Sequence, residues 1–224
     1  MKQYRNFKGI YYKNKGKDIL LYTENLVRGQ KVYGENIIRE GEKEFREWNP
    51  KRSKLGAALR KEISQIGIKE GDYVLYLGAS TGTTVSHVSD IVGEQGLVFA
   101  LDFAPRVLRE LIFLAESRKN IAPIFADANK PETYLSQLCI VDAVFMDIAQ
   151  KNQLEIFLKN CKIYLKEGGF GLLAVKARSI DVTKNPKDIF KKLRTELEKE
   201  LTIVDYRELD PYEKDHAIFV VKKK

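Results

Sequence analysis

Two charged residues follow apolar stretches in the second half of the sequence, and their types could do acid–base chemistry. Asp147 comes directly after the mostly apolar stretch 141–146, and Lys176 lies near the end of the stretch 171–177. A neutral lysine amine can take a proton from a hydroxyl group and make it a better nucleophile, while a carboxylate beside it orients the amine. We expect burial, together with the positive charge of Lys54 on an earlier helix, to favour the neutral form.

Simpler interpretations of these residues stay open. Lys176 could be a surface lysine whose stem packs on apolar neighbours. His216 begins the last apolar stretch at the same end of the predicted sheet, where it either completes the catalytic group or only makes a hydrogen bond. His87 lies inside an amphipathic segment, and we assign it to packing.

A loop with two glycines precedes that segment. Residues 78–84 read Gly-Ala-Ser-Thr-Gly-Thr-Thr and follow a strand-like apolar stretch, which is where open α/β sheets bind nucleotide-like ligands. A dinucleotide-binding loop needs glycine at its second conserved position to approach a pyrophosphate, and Ser80 stands there instead. No Gly-Lys-Ser/Thr follows, so the loop is not a P-loop. The sequence therefore favours a nucleoside ligand without phosphate.

S-adenosylmethionine meets these limits. Its amino acid end can contact the backbone and hydroxyls of Thr83 and Thr84. About twenty residues after the loop, Asp102 ends the next strand, where a carboxylate can bind the ribose hydroxyls. Phe103 beside it could stack on adenine, and Asp127 after the third strand could bind the adenine amino group. One such acid is usually a solvated strand end, but acids at successive strand ends favour a binding site.

The pattern beyond Gly71 predicts the scaffold that would position these residues. Apolar stretches of strand length alternate with amphipathic segments of helix length, which is typical of a parallel sheet covered on both faces. The predicted strands are 73–77, 97–102, 121–125, 141–146 and 171–177, and the predicted helices are 85–92, 105–117, 152–164 and 186–197. The last two apolar stretches, 201–207 and 217–221, predict an antiparallel pair at one sheet edge.

The N-terminal part has a different pattern. Short apolar and aromatic stretches between residues 7 and 39 are separated by turn-rich segments such as 13–17, which predicts hairpins. Ser53 then stands as the N-cap of an amphipathic helix. We therefore expect a small β domain over residues 1–50 and an α/β domain over residues 51–224.

Composition limits the classes of partner and location. The 224 residues carry a net charge of +8, which favours a polyanionic partner, although charge alone is weak support. The two cysteines, Cys139 and Cys161, lie in apolar or amphipathic stretches without neighbouring ligands, so we expect core residues and no metal site. No stretch is long and apolar enough to span a membrane. A cytoplasmic location is expected.

Five segments of the chain form a pattern typical of one known family: 76–90, 105–111, 127–131, 147–150 and 176–181. They resemble the corresponding motifs of fibrillarin, the family of RNA-guided 2′-O-methyltransferases. A Gly/Arg-rich leader, as in eukaryotic members, is absent, so the archaeal form is expected. The acid after the second strand is usually glutamate in the family. Asp102 is one methylene shorter here, which puts the affinity for ribose in question.

The resemblance implies an α/β fold: a class I S-adenosylmethionine-dependent methyltransferase, Rossmann-like, with a seven-stranded mostly parallel sheet and a small N-terminal β domain. It also implies a catalytic Lys-Asp-Lys-His set at Lys54, Asp147, Lys176 and His216. With the loop, the predicted cofactor contacts are Gly78, Ala79, Thr83, Thr84, Asp102, Phe103, Asp127, Ala128, Asp147, Ile148, Ala149 and Gln150.

The partners that the resemblance implies are a box C/D guide RNA, substrate rRNA and tRNA, a Nop-family scaffold protein and a kink-turn-binding protein. In such an assembly a basic surface need only hold RNA backbone, which agrees with the lack of an RNA-recognition motif.

Three alternatives are weaker. A methyltransferase for small molecules or proteins would not need the two lysines. An inactive RNA-binding scaffold would not need Lys54, Asp147 and Lys176 together. A dehydrogenase would need the missing central glycine of the loop.

Overall fold

The computed structural model describes residues 1–16 and 18–224. Lys17, the last residue of the predicted 13–17 turn, lies outside them. The strands are β1 (Lys2–Gln3), β2 (Ile10–Lys15), β3 (Asp18–Glu24), β4 (Ile37–Glu40), β5 (Lys43–Trp48), β6 (Tyr73–Leu77), β7 (Leu97–Asp102), β8 (Ile121–Phe125), β9 (Val141–Met146), β10 (Leu165–Lys176), β11 (Leu201–Glu208) and β12 (His216–Lys223). The helices are α1 (Lys54–Arg60), α2 (Thr83–Val92), α3 (Pro105–Ser117), α4 (Gln153–Tyr164), α5 (Ala177–Ile180) and α6 (Pro186–Glu200), with a 3₁₀ helix at Pro131–Gln137.

The C-terminal sheet has seven strands in the order β11-β12-β10-β9-β6-β7-β8. Strands β6 to β10 run parallel, and β12 pairs antiparallel with both β10 and β11. The predicted antiparallel pair at one edge is therefore confirmed. Helices α1, α2 and α3 pack on one face of this sheet, and α4 and α6 pack on the other.

Four local expectations are wrong. Residues 13–15, expected in a turn, are the last residues of β2 and pair with β3. Strand β10 begins at Leu165 rather than at residue 171, and Ala177 starts α5 instead of ending the strand. Cys139 is exposed, because it lies in the connection between the 3₁₀ helix and β9, whereas Cys161 on α4 is buried as expected. The short helices α5 and 131–137 were not predicted, since neither is long enough to show an amphipathic period.

The N-terminal strands form a second sheet, antiparallel, in the order β1-β2-β3-β5-β4. Its buried side chains share one apolar cluster with α1 and α2; Leu21 and Trp48 lie in the same cluster as Leu55 and Val88. The two sheets are thus joined through those helices. The division of the chain into two domains at residue 50 stays a prediction.

Buried charges also join the N-terminal sheet to α2. The Asp90 carboxylate accepts hydrogen bonds from Arg46 (2.8 Å) and Arg118 (2.6 Å), and all three side chains are fully buried. Glu35 pairs with Arg46 at 2.6 Å, so the four charges balance. Thr23 also donates to Asp90 at 2.7 Å. We call Glu35, Arg46, Asp90 and Arg118 the buried charge network.

His87 packs beside this network, as the sequence predicted. It is fully buried, stacks on Trp48 with ring centroids 4.7 Å apart, and contacts the hydroxyls of Thr23 and Tyr33. Burial, and then the charges of Arg46 and Arg118, hold the pKa of His87 well below its ordinary value.

Among the described residues, no helix is both long enough and apolar enough to cross a bilayer.

Candidate active site

Strand alternation sends three of the four predicted catalytic side chains to one face of the seven-stranded sheet. Ala143 and Phe145 of β9 lie in the apolar cluster under α1 and α2, and so do Leu172 and Ala174 of β10 and Ile218 and Val220 of β12. Side chains two residues apart share a face of a sheet. Asp147, Lys176 and His216 continue these three series. They therefore lie on the face that α1 covers.

Helix α1 brings the fourth residue, Lys54, to the same place. Ser53 caps the helix, accepting a hydrogen bond from the Gly56 backbone N–H at 3.2 Å. The amine of Lys54 then contacts both oxygens of Asp147, at 2.9 Å and 3.1 Å. Both side chains are about four-fifths buried, at 21% and 23% exposure. Asp147 is thus held by Lys54.

His216 is nearly buried and has a defined hydrogen bond. Its Nδ1 lies 2.7 Å from the carbonyl oxygen of Lys214. Because a carbonyl can only accept, Nδ1 carries the proton. Burial is the main cause that lowers the pKa of His216, and the charge of Lys54 adds to it. The ring is therefore neutral near pH 7, and its Nε2 lone pair is available.

Lys176 lies directly opposite His216 in the antiparallel pair of β10 and β12. Such partners have side chains on the same face and within contact distance. Lys176 is exposed, which makes the expectation of a buried lysine wrong: it is the last residue of its strand. Within the described residues its amine makes no hydrogen bond or ion pair. The expectation that Asp147 orients this amine is therefore wrong, because Asp147 pairs with Lys54 instead, and Lys176 is free to meet a substrate.

The loop between β6 and α2 is shaped by two glycines. Gly78 has φ +83°, and a Cβ atom there would lie 2.4 Å from the carbonyl oxygen of Asp147. Gly82 has φ +90°, and a Cβ atom there would lie 2.4 Å from Leu114 on α3. The backbone N–H groups of Gly78 and Ala79 both donate to the Leu101 carbonyl, each at 3.0 Å. The loop therefore lies close against β7 and the end of β9.

A cavity of about 280 Å³ opens at this edge of the sheet. It is lined by Gly78, Ser80, Leu101, Asp102, Phe103, Asp127, Ala128, Asp147, Ile148, Ala149 and Gln150. Nine of the twelve predicted cofactor contacts are among these residues. We call this space the cofactor cavity. Ser80 and Leu101 were not predicted as cofactor contacts. Their positions in the sequence could have indicated them, because Ser80 lies in the loop that begins at Gly78 and Leu101 directly precedes Asp102.

Three predicted contacts do not line the cavity: Ala79, Thr83 and Thr84. Ala79 is buried, and the Thr84 hydroxyl donates to Ser53 at 3.0 Å in a buried contact between α2 and α1. The Thr84 hydroxyl therefore supports the start of α1, the helix that carries Lys54. The roles predicted for these three residues stay predictions.

Some of the hydrogen-bond acceptor positions of the Asp102 carboxylate are already occupied. It accepts the backbone N–H of Ser80 at 2.8 Å and that of Ala104 at 3.0 Å, one on each oxygen. A carboxylate has about four acceptor positions, so each oxygen can still take a hydroxyl donor. Phe103 beside it is 60% exposed, which leaves its ring available for stacking.

Asn129, which sequence reasoning missed, ties together the opposite wall of the cofactor cavity. Its amide donates to Asp127 at 3.1 Å and to Gln150 at 3.0 Å, and its backbone N–H donates to the same Asp127 oxygen at 2.9 Å. The hydrogen bond from the Asn129 backbone, and next the one from its side chain, lower the pKa of Asp127 and keep the carboxylate ionised. The sequence feature that could have identified Asn129 is the Asp-x-Asn turn that closely follows strand β8.

Replacing Gly78 with alanine should distort the cofactor loop. The new Cβ would both disfavour the positive φ and collide with the Asp147 backbone. We expect a loss of about 1–3 kcal/mol in stability together with weaker cofactor binding. Urea unfolding and calorimetry with S-adenosylmethionine would measure the two effects. Gly34→Ala is the control, because its φ is also positive but nothing lies within 4 Å of the added atom. Equal effects of the two changes would show that the contact with Asp147 is unimportant.

The sequence profile of the Fibrillarin family matches residues 1–224, the whole chain. The chain belongs to the fibrillarin family. A fibrillarin-like rRNA/tRNA 2′-O-methyltransferase from Thermococcus onnurineus is 54% identical over 201 residues, which cover 90% of this chain and 89% of that protein. The family predicted from the sequence motifs is confirmed.

Solved structures agree. The crystal structure of Aeropyrum pernix fibrillarin with natively bound S-adenosyl-L-methionine has a TM-score of 0.90 and 43% identity to this chain, covering 98% of this chain and 96% of that one. A chain of a fibrillarin/Nop5p complex has a TM-score of 0.86 and 37% identity, with coverage of 97% and 98%. The predicted fold, a class I methyltransferase sheet with a small antiparallel sheet near the N-terminus, is confirmed.

Proposed function

We propose that this chain transfers a methyl group from S-adenosylmethionine to ribose 2′-hydroxyls of rRNA and tRNA, as the catalytic subunit of an RNA-guided box C/D ribonucleoprotein. The observation that carries the proposal is the convergence of Lys54, Asp147, Lys176 and His216 on one sheet face, beside a cavity lined by acids from neighbouring strand ends. We call these four residues the catalytic group.

The cofactor cavity suits S-adenosylmethionine, which supplies an electrophilic methyl group on a sulfonium. Asp102 keeps free acceptor positions for ribose hydroxyls, and Asp127 keeps an ionised oxygen for an amino group. The enzyme class and the cofactor agree with the family and with the cofactor bound to the A. pernix fibrillarin. The negative charge of Asp147, at the edge of the cavity, can attract a sulfonium.

The chain's own groups would position and activate the hydroxyl. Lys54 fixes the Asp147 carboxylate through contacts to both of its oxygens. Lys176, opposite His216, is placed to receive the proton of the hydroxyl when its amine is in the neutral form, and the unprotonated Nε2 of His216 is a second acceptor at the same site. Holding the two reactants in line would supply much of the remaining acceleration.

The surroundings of the catalytic group suit an RNA backbone. Exposed basic side chains lie within three residues of its members: Lys51 and Arg52 before Lys54, and Lys214 before His216. Such side chains bind phosphates without reading bases, so target choice would come from a guide RNA. The Nop5p complex of a relative supports a Nop-family scaffold. A kink-turn-binding protein and a cytoplasmic location complete the proposal.

Reconstitution tests the guided activity. The chain is combined with a box C/D guide RNA, a Nop-family scaffold, a kink-turn-binding protein, a target RNA and tritiated S-adenosylmethionine, and the labelled nucleotide is mapped. We expect one labelled 2′-oxygen, and a guide with a shifted complementary segment should move the label by the same shift. A label that ignores the guide would contradict RNA guidance, and labelling of a small molecule in place of RNA would contradict the proposed substrate.

A further inference from the structure

An ion pair outside the catalytic group joins the two strand ends that carry Lys176 and His216. Arg178, two residues after Lys176, donates through Nε to the carboxylate of Asp215 at 2.9 Å. Asp215 directly precedes His216. The backbone is joined at the same point, since the N–H of Ala177 donates to the carbonyl of Asp215 at 3.0 Å.

Asp215 has an unusual backbone conformation. Its φ is +58°, in the left-handed region that few residues other than glycine adopt. This conformation turns the chain between Lys214, whose carbonyl accepts the hydrogen bond from His216 Nδ1, and His216 itself. Strained conformations persist where surrounding contacts hold them, and they are frequent at functional sites.

Arg178 is itself fixed by more than the ion pair. Its Nη1 donates to the carbonyl oxygens of Val182 at 2.8 Å and Lys184 at 3.5 Å. The guanidinium therefore links three segments: α5, which directly follows β10, the turn before β12, and residues 182–184 after α5. A planar group with donors on several nitrogens in fixed directions suits this task, whereas all the donors of a lysine sit on one nitrogen.

We infer that Arg178 and Asp215 are positioning residues that hold the turn before β12 and thereby fix the His216 ring with Nδ1 protonated and Nε2 free. This inference rests on the proposed function for the importance of His216, but the ring state can be measured without catalysis. Other charged groups around the ring are Lys54 from α1, Asp147 after β9, Lys176 from β10, and Glu213, whose carboxylate lies 3.9 Å from Nδ1.

The experiment uses ¹⁵N-histidine labelling and NMR of the full chain. The sequence has two histidines, so the buried His87 serves as an internal reference for folding. In the wild type we expect His216 to show one tautomer, with Nδ1 protonated, and to titrate below the ordinary range of histidine. Asp215→Asn keeps an acceptor for Arg178 and tolerates the left-handed conformation, so its spectrum should match the wild type.

Two variants should allow the His216 ring to change its tautomer, each by removing one partner of the ion pair. Arg178→Ala removes the donor, and Asp215→Gly removes the acceptor while leaving the backbone unstrained. Both should give mixed His216 tautomers and titration nearer the ordinary range, with His87 signals unchanged. Wild-type His216 signals in both variants would overturn the inference.

Activity separates this inference from the proposed function. In the reconstituted complex, both variants should lower the single-turnover rate by about 10- to 100-fold, since misplacing a reacting group by about 1 Å can cost that much. Affinity for S-adenosylhomocysteine should not change. Altered His216 signals with an unchanged rate would retain the positioning role but contradict the catalytic use of His216. An inactive wild type would contradict the proposed function alone.

Discussion

Replacing Asp90 with alanine is expected to lower the free energy of unfolding by about 3–5 kcal/mol, because the change leaves buried charges without their partner. Asp90 accepts four hydrogen bonds, from Thr23, the Leu26 backbone, Arg46 and Arg118. After the change, two buried guanidinium groups would share only Glu35 as a counter-charge. Urea unfolding measures the loss, since guanidinium chloride would screen the charges being tested.

Trp48 provides the signal for this experiment. It is the single tryptophan of the chain, it is fully buried, and it stacks on His87 beside the network. Its fluorescence therefore reports the junction of the N-terminal sheet with α2. Glu196→Ala is the matched control, because it removes an exposed ion pair with Lys199 that should contribute no more than about 0.5 kcal/mol. A loss below about 1 kcal/mol for Asp90→Ala would show that the network is not important for stability.

The catalytic group was largely predictable because its placement follows from strand periodicity. Residues two apart along a strand share a face, and the carboxyl ends of parallel strands share an edge. Asp147 and Lys176 follow these rules without help from other segments. His216 follows them through its direct pairing with Lys176.

The buried charge network was not predictable, because its members come from distant parts of the chain. Arg46 and Asp90 are 44 residues apart, and their pairing depends on how the N-terminal sheet packs on α2. The hydrogen bond from the Thr84 hydroxyl to Ser53 was not predictable for the same reason, since only the packing of α2 on α1 brings these two side chains together. Side-chain periodicity predicts which face a residue occupies, and tertiary packing decides which partner it meets there.

Lys176→Ala is expected to lower the methyl-transfer rate by about 100- to 10,000-fold, the range in which general-base groups usually contribute. The affinity for S-adenosylhomocysteine should remain near that of the wild type, because Lys176 does not line the cofactor cavity. Single-turnover rates in the reconstituted complex measure the first quantity, and calorimetry on the isolated chain measures the second. Lys191→Ala, which removes an exposed lysine on α6, is the control and should retain full activity.

Lys176→Arg distinguishes proton transfer from charge. Lys176 is exposed and free of partners among the described residues, so it could instead hold the RNA phosphate beside the reacting ribose. Arginine keeps the positive charge and binds phosphate well, but it cannot give up its proton near neutral pH. If Lys176 is the base, Lys176→Arg should be as slow as Lys176→Ala. If the arginine variant retains most of the wild-type rate, the lysine acts through its charge, and the unprotonated Nε2 of His216 becomes the proton acceptor that the geometry supports.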